Sequence, residues 1–392
     1  MLFLLCYNVN VMQNIYLDNA ATTQPLDMLE DTYRQYAGAG WYNPSALYKP
    51  AVDAGRQLKD AAETLLSAFG SSTHRCLFTS GGTEGANTVI LRGVKNKKNC
   101  NYVCGGFEHP CVDECFRQLA QAGADVRFIT PDASGMIDPA AVLQAVDMDT
   151  VLVSVMHVNN ETGAINDIQR IAAGVKAKNP DTLFFSDGVQ AFLREPLADT
   201  SQIDYYTVSA HKLHAHKGTG AIFYTPKAPL KPLLLGGGQQ GGLRSGTEDM
   251  LGILSFAKAA AHYHTNAQRF NAQIRELHEA FLAALGQIDG MHVLSPQGAQ
   301  GCAHIVTLAF EDVAGETLLH SLEAKGIYVS NGAACSSKKG KSRMQDALRL
   351  PAAITDGVIR VSFSIYNTLD DVATAAGEIA GIVPTLRQYT RK

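Results

Sequence analysis

The sequence lacks any apolar stretch long enough for a membrane helix, which needs about 20 consecutive apolar residues. Its opening, Met1-Leu2-Phe3-Leu4-Leu5-Cys6, is apolar but short. It has neither the basic start nor the longer core of a secretory signal. A cytoplasmic protein is expected, with Met12 as an alternative start and the preceding residues as an upstream extension.

A large excess of charge is also missing. Charged residues make up 18% of the chain and the net charge is −4. That gives no basic footprint for nucleic acid and no acidic tail. The lysine clusters Lys95/Lys97/Lys98 and Lys338/Lys339/Lys341 read as solvated loops. The second could also dock an acidic partner. The 8 cysteines are too sparse and irregular for a disulfide scaffold. Cys100/Cys104 and Cys111/Cys115 form two C-x-x-x-C pairs around His109. Structural zinc cysteines more often stand two apart on a knuckle, so these read as core thiols and no metal site is expected. Repeats and low-complexity tracts are absent.

What is present is a chain of 392 residues, 46% hydrophobic, long enough to divide into two domains. From residue 50 onward helical and strand periods alternate, the pattern of an α/β sheet with crossover helices. Val52, Leu58, Ala62, Leu65, Leu66 and Phe69 recur at helical spacing, and Gly70 stands where that helix would end. Short apolar runs at 76–78, 102–104, 126–129, 151–156, 183–185, 205–208 and 221–224 predict buried strands of a mostly parallel sheet. Helices are predicted between most of them, such as 113–122 and 168–178. A long helix over 266–285 then precedes strands at 304–310, 327–330 and 358–364 and a terminal helix. The expected division is a large α/β domain over 20–260, with 1–19 and 261–392 forming a small α+β domain.

Ligands of open α/β sheets bind outside the carboxyl ends of strands, so the residues following each predicted strand carry the chemistry. Ser80-Gly81-Gly82-Thr83-Glu84-Gly85 opens a helix, an arrangement that suits an anion but also serves plain strand-to-helix turns. His109 could stack on a flat ring or cap a helix. Asn159-Asn160 could form a turn or aim amides at a ligand oxygen. Asp187 could cap a helix or keep a pyridine nitrogen protonated. Lys212, after Ser209-Ala210-His211, could be a solvated charge or an amine made nucleophilic by desolvation. Taken singly, each residue fits the plainer role. Jointly they describe one site for pyridoxal 5'-phosphate: an anion cradle, a stacking ring, a carboxylate for a ring nitrogen and an amine for an aldehyde.

The chain resembles the cysteine desulfurases of the class V aminotransferase group, in their housekeeping and nitrogenase-type branch. The likeness runs from Tyr16-Leu17-Asp18-Asn19-Ala20-Ala21-Thr22-Thr23 to Ile359-Arg360-Val361-Ser362. It includes Asn159-Asn160-Glu161-Thr162-Gly163, Ser186-Asp187-Gly188-Val189-Gln190 and Arg244-Ser245-Gly246-Thr247. The resemblance implies the fold type I of pyridoxal-phosphate enzymes. It makes Lys212 the residue bonded to the cofactor aldehyde, His109 the stacking ring and proton donor, Asp187 the pyridine partner and Gln190 the partner of the phenolic oxygen. Gly82, Thr83, Ser209 and His211 would hold the phosphate, joined by Thr247 from a neighbouring subunit, which implies a homodimer. Asn160 and Arg360 would hold the substrate carboxylate. Cys335, within Ser330-Asn331-Gly332-Ala333-Ala334-Cys335-Ser336-Ser337, would take sulfur from L-cysteine and pass it to an acceptor protein.

The chain departs from the family pattern in three places. Leu213-His214-Ala215-His216 stands where a Gly-Pro pair usually precedes Lys-Gly, so His214 and His216 could border the site. Asn331 replaces a more usual serine, and Gln239-Gln240 replaces a pair that is often His-Glu or Gln-Glu. Rival readings are another class V lyase, such as a selenocysteine lyase, a cysteine-sulfinate-type enzyme, and a non-catalytic scaffold that binds a sulfur carrier.

Overall fold

The computed structural model describes residues 14–94, 99–331 and 343–389. Cys335, Met12 and both lysine clusters lie outside these residues. Thirteen strands are described: β1 (Ile15–Tyr16), β2 (Arg75–Thr79), β3 (Asn101–Gly105), β4 (Asp125–Ile129), β5 (Thr150–Ser154), β6 (Leu183–Asp187), β7 (Tyr205–Ser209), β8 (Gly220–Tyr224), β9 (Met291–Val293), β10 (Ile305–Phe310), β11 (Ile327–Tyr328), β12 (Ser330–Asn331) and β13 (Val358–Ser362). Seven of them form one sheet in the order β2-β8-β7-β6-β5-β3-β4. Only β8 runs against the others, pairing antiparallel with both β2 and β7.

Burial explains the composition of this sheet. All residues of β3, β7 and β8 are buried, as expected where helices cover both faces. The edge strand β4 is the most exposed of the seven. The helix Lys49–Phe69 ends on Gly70 in the left-handed conformation (φ 76°), where glycine carries no Cβ penalty. The helix Ile168–Lys178 has the predicted bounds.

A second apolar core gathers around the sheet β12-β13-β10-β9 and the two-stranded pair β1-β11. The predicted strand over 327–330 divides at Val329, with β11 pairing β1 and β12 pairing β13. The predicted long helix begins at Met250 rather than Asn266 and runs unbroken to Leu285. Asp249 caps it by accepting the Gly252 N–H. Phe256, Tyr263 and Phe270 belong to the core of the large sheet, while Ile274, Leu277 and Phe281 belong to the second core. The expected domain boundary at residue 260 therefore falls inside one helix. No helix among the described residues is long and apolar enough to cross a membrane.

Candidate active site

The carboxyl ends of β2, β6 and β7 open onto a cavity of about 450 Å³. After β2 the chain turns at Gly81 (φ 150°) into the helix Gly82–Arg92. A Cβ on Gly82 would stand 2.7 Å from Val189 Cγ2, so glycine lets this helix start lie against the segment that follows Asp187. Gly82 and Thr83 line the cavity with Ser209, which ends β7, and His211, which follows it. The arrangement offers hydroxyl donors beside the amides of a helix N-terminus, a donor set suited to a phosphate. His211 Nδ1 faces Thr22 Oγ1 at 3.0 Å.

Lys212 sits in the turn that follows β7. Its Nζ donates to the carbonyls of Ala20 and Ala21 at 2.5 and 2.6 Å. Its own carbonyl accepts from Arg194 Nη2 at 2.5 Å. Burial pulls the amine down to about 8, helped by the nearby Arg360 and Arg194 and opposed by Asp18 and Asp187. A lysine so perturbed keeps a useful neutral fraction near neutral pH, as a nucleophile or base requires.

Asp187 ends β6, is buried and lines the same cavity. No helix follows it. Oδ1 instead accepts the Val189 N–H at 2.9 Å, closing a turn. Burial raises the carboxyl to about 6, against that hydrogen bond and the Lys212 charge. A cationic ring nitrogen placed against it would restore the carboxylate. Gln190 donates to the Ala20 carbonyl at 2.9 Å, the carbonyl that Lys212 also uses.

His109 combines its two sequence readings. It is the N-cap of the helix Pro110–Gln121, with Nδ1 accepting the Cys111 N–H at 3.2 Å, and it lines the cavity. Burial, then Lys212 and Arg343, push its pKa down to about 4. The ring is neutral near pH 7, and its proton is on Nε2 because Nδ1 accepts.

Arg360 projects from β13 into the cavity. Nη2 meets Asp18 Oδ1 at 2.9 Å and Nη1 donates to the Asn160 carbonyl at 2.7 Å. The guanidinium, next to Asn160, thus stands on the side of the cavity built by the second core.

Thr247 is exposed and does not line this chain's cavity. Its loop is pinned by Arg244, which forks onto Glu84 at 3.0 and 3.2 Å, and by Gln239 Oε1, which accepts the Gly246 N–H at 2.9 Å. Gln240 bridges both backbone groups of Phe78. His214 and His216 do not border the cavity. His214 turns its Nδ1 to the Gln24 carbonyl and its ring to Tyr366, while His216 packs on Tyr33.

Cys111 corrects the reading of the cysteine pairs. Cys104 and Cys115 are buried core thiols, but Cys111 is only partly buried and lines the cavity. The sequence reading also missed the pairing of Asp18 with Arg360, and Arg343, which lines the cavity and donates to the Glu108 carbonyl. Asp18 stands within a recognisable motif, but its partner is remote in the chain.

Comparisons with known proteins give the family. The aminotransferase class-V family model matches residues 15–374. A NifS/IcsS protein homolog of Lactobacillus delbrueckii subsp. bulgaricus is 36% identical over 91% of this chain and 94% of its own length. Cysteine desulfurase 2 of Trichormus variabilis is 33% identical over 96% of this chain and 94% of its own. The solved structure of a NifS-like protein superposes with a TM-score of 0.87 at 30% identity, covering 95% of this chain and 100% of that one. The chain belongs to the class-V aminotransferase family and, within it, to the cysteine desulfurases.

Proposed function

We propose that the protein is a pyridoxal-phosphate-dependent enzyme that moves the sulfur of L-cysteine onto Cys335, leaving a persulfide there and releasing L-alanine. The observation that carries this reading is the convergence of Lys212, Asp187, His109 and Arg360 on one cavity. The residues fit the cofactor by their chemistry. Asp187 is a buried carboxyl with a raised pKa, Lys212 an amine with a lowered one, and the Gly82 helix start offers amides to a phosphate. Gly82, Thr83, Ser209 and His211 would take the phosphate, Gln190 the phenolic oxygen and Lys212 the aldehyde. When bound, the cofactor supplies an electron sink that loosens bonds at the substrate's α-carbon.

The remaining work belongs to this chain's side chains. Arg360 and Asn160 hold the substrate carboxylate, Arg360 through its planar fork. The Lys212 amine, freed when substrate binds, accepts the α-proton. The Cys335 thiolate attacks the substrate sulfur, so an S–S bond forms as the carbon–sulfur bond breaks. His109 relays a proton to the departing three-carbon fragment, Nε2 giving its proton as the ring takes up another, so that the imidazole stays neutral. The sum is balanced: enzyme thiol plus L-cysteine gives enzyme persulfide plus L-alanine.

A homodimer completes the site, with Thr247 of one subunit reaching the phosphate of the other. Its support is an exposed apolar group in which Trp41 stacks on Tyr42 and Tyr48 packs edge-on against Tyr42, beside Leu47, which is 94% exposed. Such surface is unusual on a monomer. The proposed division is 20–260 for the cofactor-binding domain and 1–19 with 261–392 for the small domain bearing the Cys335 loop, with the helix Met250–Leu285 shared by both cores. A cytoplasmic location fits the unpaired state of all six described cysteines. The persulfide sulfur then passes to an acceptor protein.

The test is alanine and sulfide release from L-cysteine, with a reductant present, by the cofactor-loaded protein and by its Cys335→Ala variant. Equal yields that vanish in the variant while the cofactor absorbance persists support the reading. Unchanged alanine release by the variant would remove Cys335 from the chemistry.

A further inference from the structure

His109, Cys111 and Asp187 bring three kinds of metal-ligating atom within 4.8 Å of one another on the cavity wall. Their positions follow from the fold. Asp187 closes β6, and His109 and Cys111 stand at the start of the helix Pro110–Gln121. His109 Nδ1 lies 3.0 Å from Cys111 Sγ, and a cation there would take the lone pair that otherwise accepts the Cys111 N–H. Asp187 spends only Oδ1 on the Val189 N–H, and among the described residues Oδ2 accepts no hydrogen bond.

None of these groups carries the proton pattern of a charged cluster. The His109 ring is neutral near pH 7, with Nδ1 unprotonated. Burial, then the Asp187 charge, push the Cys111 thiol up, so it is a protonated and unreactive thiol in the metal-free protein. A thiol and an imidazole side by side are donors suited to a cation of the zinc class rather than to one that seeks oxygen.

We propose that the cofactor-free protein binds a soft divalent cation of the zinc class through His109, Cys111 and Asp187, and that cation and cofactor exclude one another. In a tetrahedral zinc site the ligand-to-ligand edges are about 3.5 Å, so the His109–Cys111 pair opens by about 0.5 Å and the most distant pair of ligand atoms, up to 4.8 Å apart, closes by up to about 1.3 Å. The thiolate and the carboxylate neutralise the dication. The thiol proton leaves to solvent, one per cation bound. Three protein ligands leave a fourth position for water or for the hydroxyl of Thr83, which lines the same cavity. Imidazole and thiolate together disfavour magnesium and calcium, which seek oxygen ligands. Mutual exclusion rests on the functional reading above, because the cation occupies the carboxylate and the ring that the cofactor requires. Zinc then acts as a brake on cofactor loading.

The first experiment uses cobalt(II) with full-length, cofactor-free protein in a Cys335→Ala background, which removes the proposed catalytic thiol. A thiolate-to-cobalt charge-transfer band is expected at one equivalent, absent from the additional variants Cys111→Ala and Cys111→Ser. Cofactor loading, read by absorbance, is then timed with and without zinc, each variant serving as its own reference. At zinc about ten times above its Kd, loading should slow about tenfold with Cys111 present. It should not slow in the Cys111 variants. No band in the parent, or a band that survives in both variants, overturns the site. A band without slowed loading overturns the exclusion. If zinc-free protein takes up no pyridoxal phosphate, the functional reading fails instead, while the cobalt band still decides the metal site.

Discussion

Arg360 Nη2 donates to Asp18 Oδ1 at 2.9 Å, so the cation expected to meet a substrate carboxylate already holds one. The Asn160 carbonyl takes Nη1, and the buried Nε has no partner among the described residues. The guanidinium is therefore oriented from two sides before substrate arrives. Lysine would keep the charge and lose the fork. Charged hydrogen bonds of this kind contribute about 1.5–3 kcal/mol. Arg360→Lys should raise the KM for L-cysteine by at least about tenfold while cofactor absorbance is retained. Steady-state kinetics checks this, and an unchanged KM would place the carboxylate elsewhere.

The amine of Lys212 supplies a pH prediction. Burial lowers its pKa to about 8 from the usual lysine value, and the neutral form is the one that attacks an aldehyde. Protonation removes that form as pH falls. Loading of the cofactor should therefore slow about tenfold per pH unit below 8 and level off above it. An unperturbed lysine would keep accelerating to beyond pH 10. Stopped-flow absorbance between pH 6.5 and 10 would distinguish these profiles, after correction for the cofactor's own ionisation.

Gly188 offers a packing test next to Asp187. A Cβ at this position would stand 1.9 Å from Cζ of Tyr206. The ring has little freedom to yield, since Tyr206 is buried and its hydroxyl meets His157 Nδ1 at 3.0 Å. Overpacking of this kind costs about 1–3 kcal/mol, and here the strain falls on the backbone that aims Asp187. Gly188→Ala should lower the melting temperature of the cofactor-free protein and weaken cofactor binding together. Wild-type melting with full cofactor affinity would mean that the ring moves aside.

Much of the large sheet was legible because buried strands announce themselves as short apolar runs. The helix Ile168–Lys178 was equally plain because its buried residues form one stripe, Ile168, Ile171, Ala172 and Val175. The start of the long helix was missed for the opposite reason. Met250, Ile253, Phe256, Ala257, Ala259, Ala260 and Tyr263 are all buried, so no single apolar face marks that half. Lys212 and Asp187 were legible as strand-end residues of a known motif. The position of Cys111 was not, since whether a helix-start thiol faces a core or a cavity depends on what β6 delivers beside it. The Asp18–Arg360 pair joins residues at opposite ends of the described chain, and local pattern carries no information about such a contact.

The position of Thr247 leads to the last prediction. It is exposed, absent from its own chain's cavity, and carried on a loop fixed by the Arg244–Glu84 fork. Glu84 lies in the first turn of the Gly82–Arg92 helix, whose start faces the proposed phosphate position of the same chain. If Thr247 serves the other subunit, two defective chains should repair one another. In a Lys212→Ala and Thr247→Ala heterodimer, one site has an intact lysine and receives an intact threonine, while the other has neither. Thr247→Ala homodimers should bind cofactor about tenfold more weakly, since a hydrogen bond to a charged phosphate contributes about 1.5–3 kcal/mol. Doubly tagged heterodimers should regain wild-type affinity in one site per dimer, and with it L-cysteine turnover. A threonine acting within its own chain would leave every heterodimer site defective, and titration of the tagged species would then find no tight site at all.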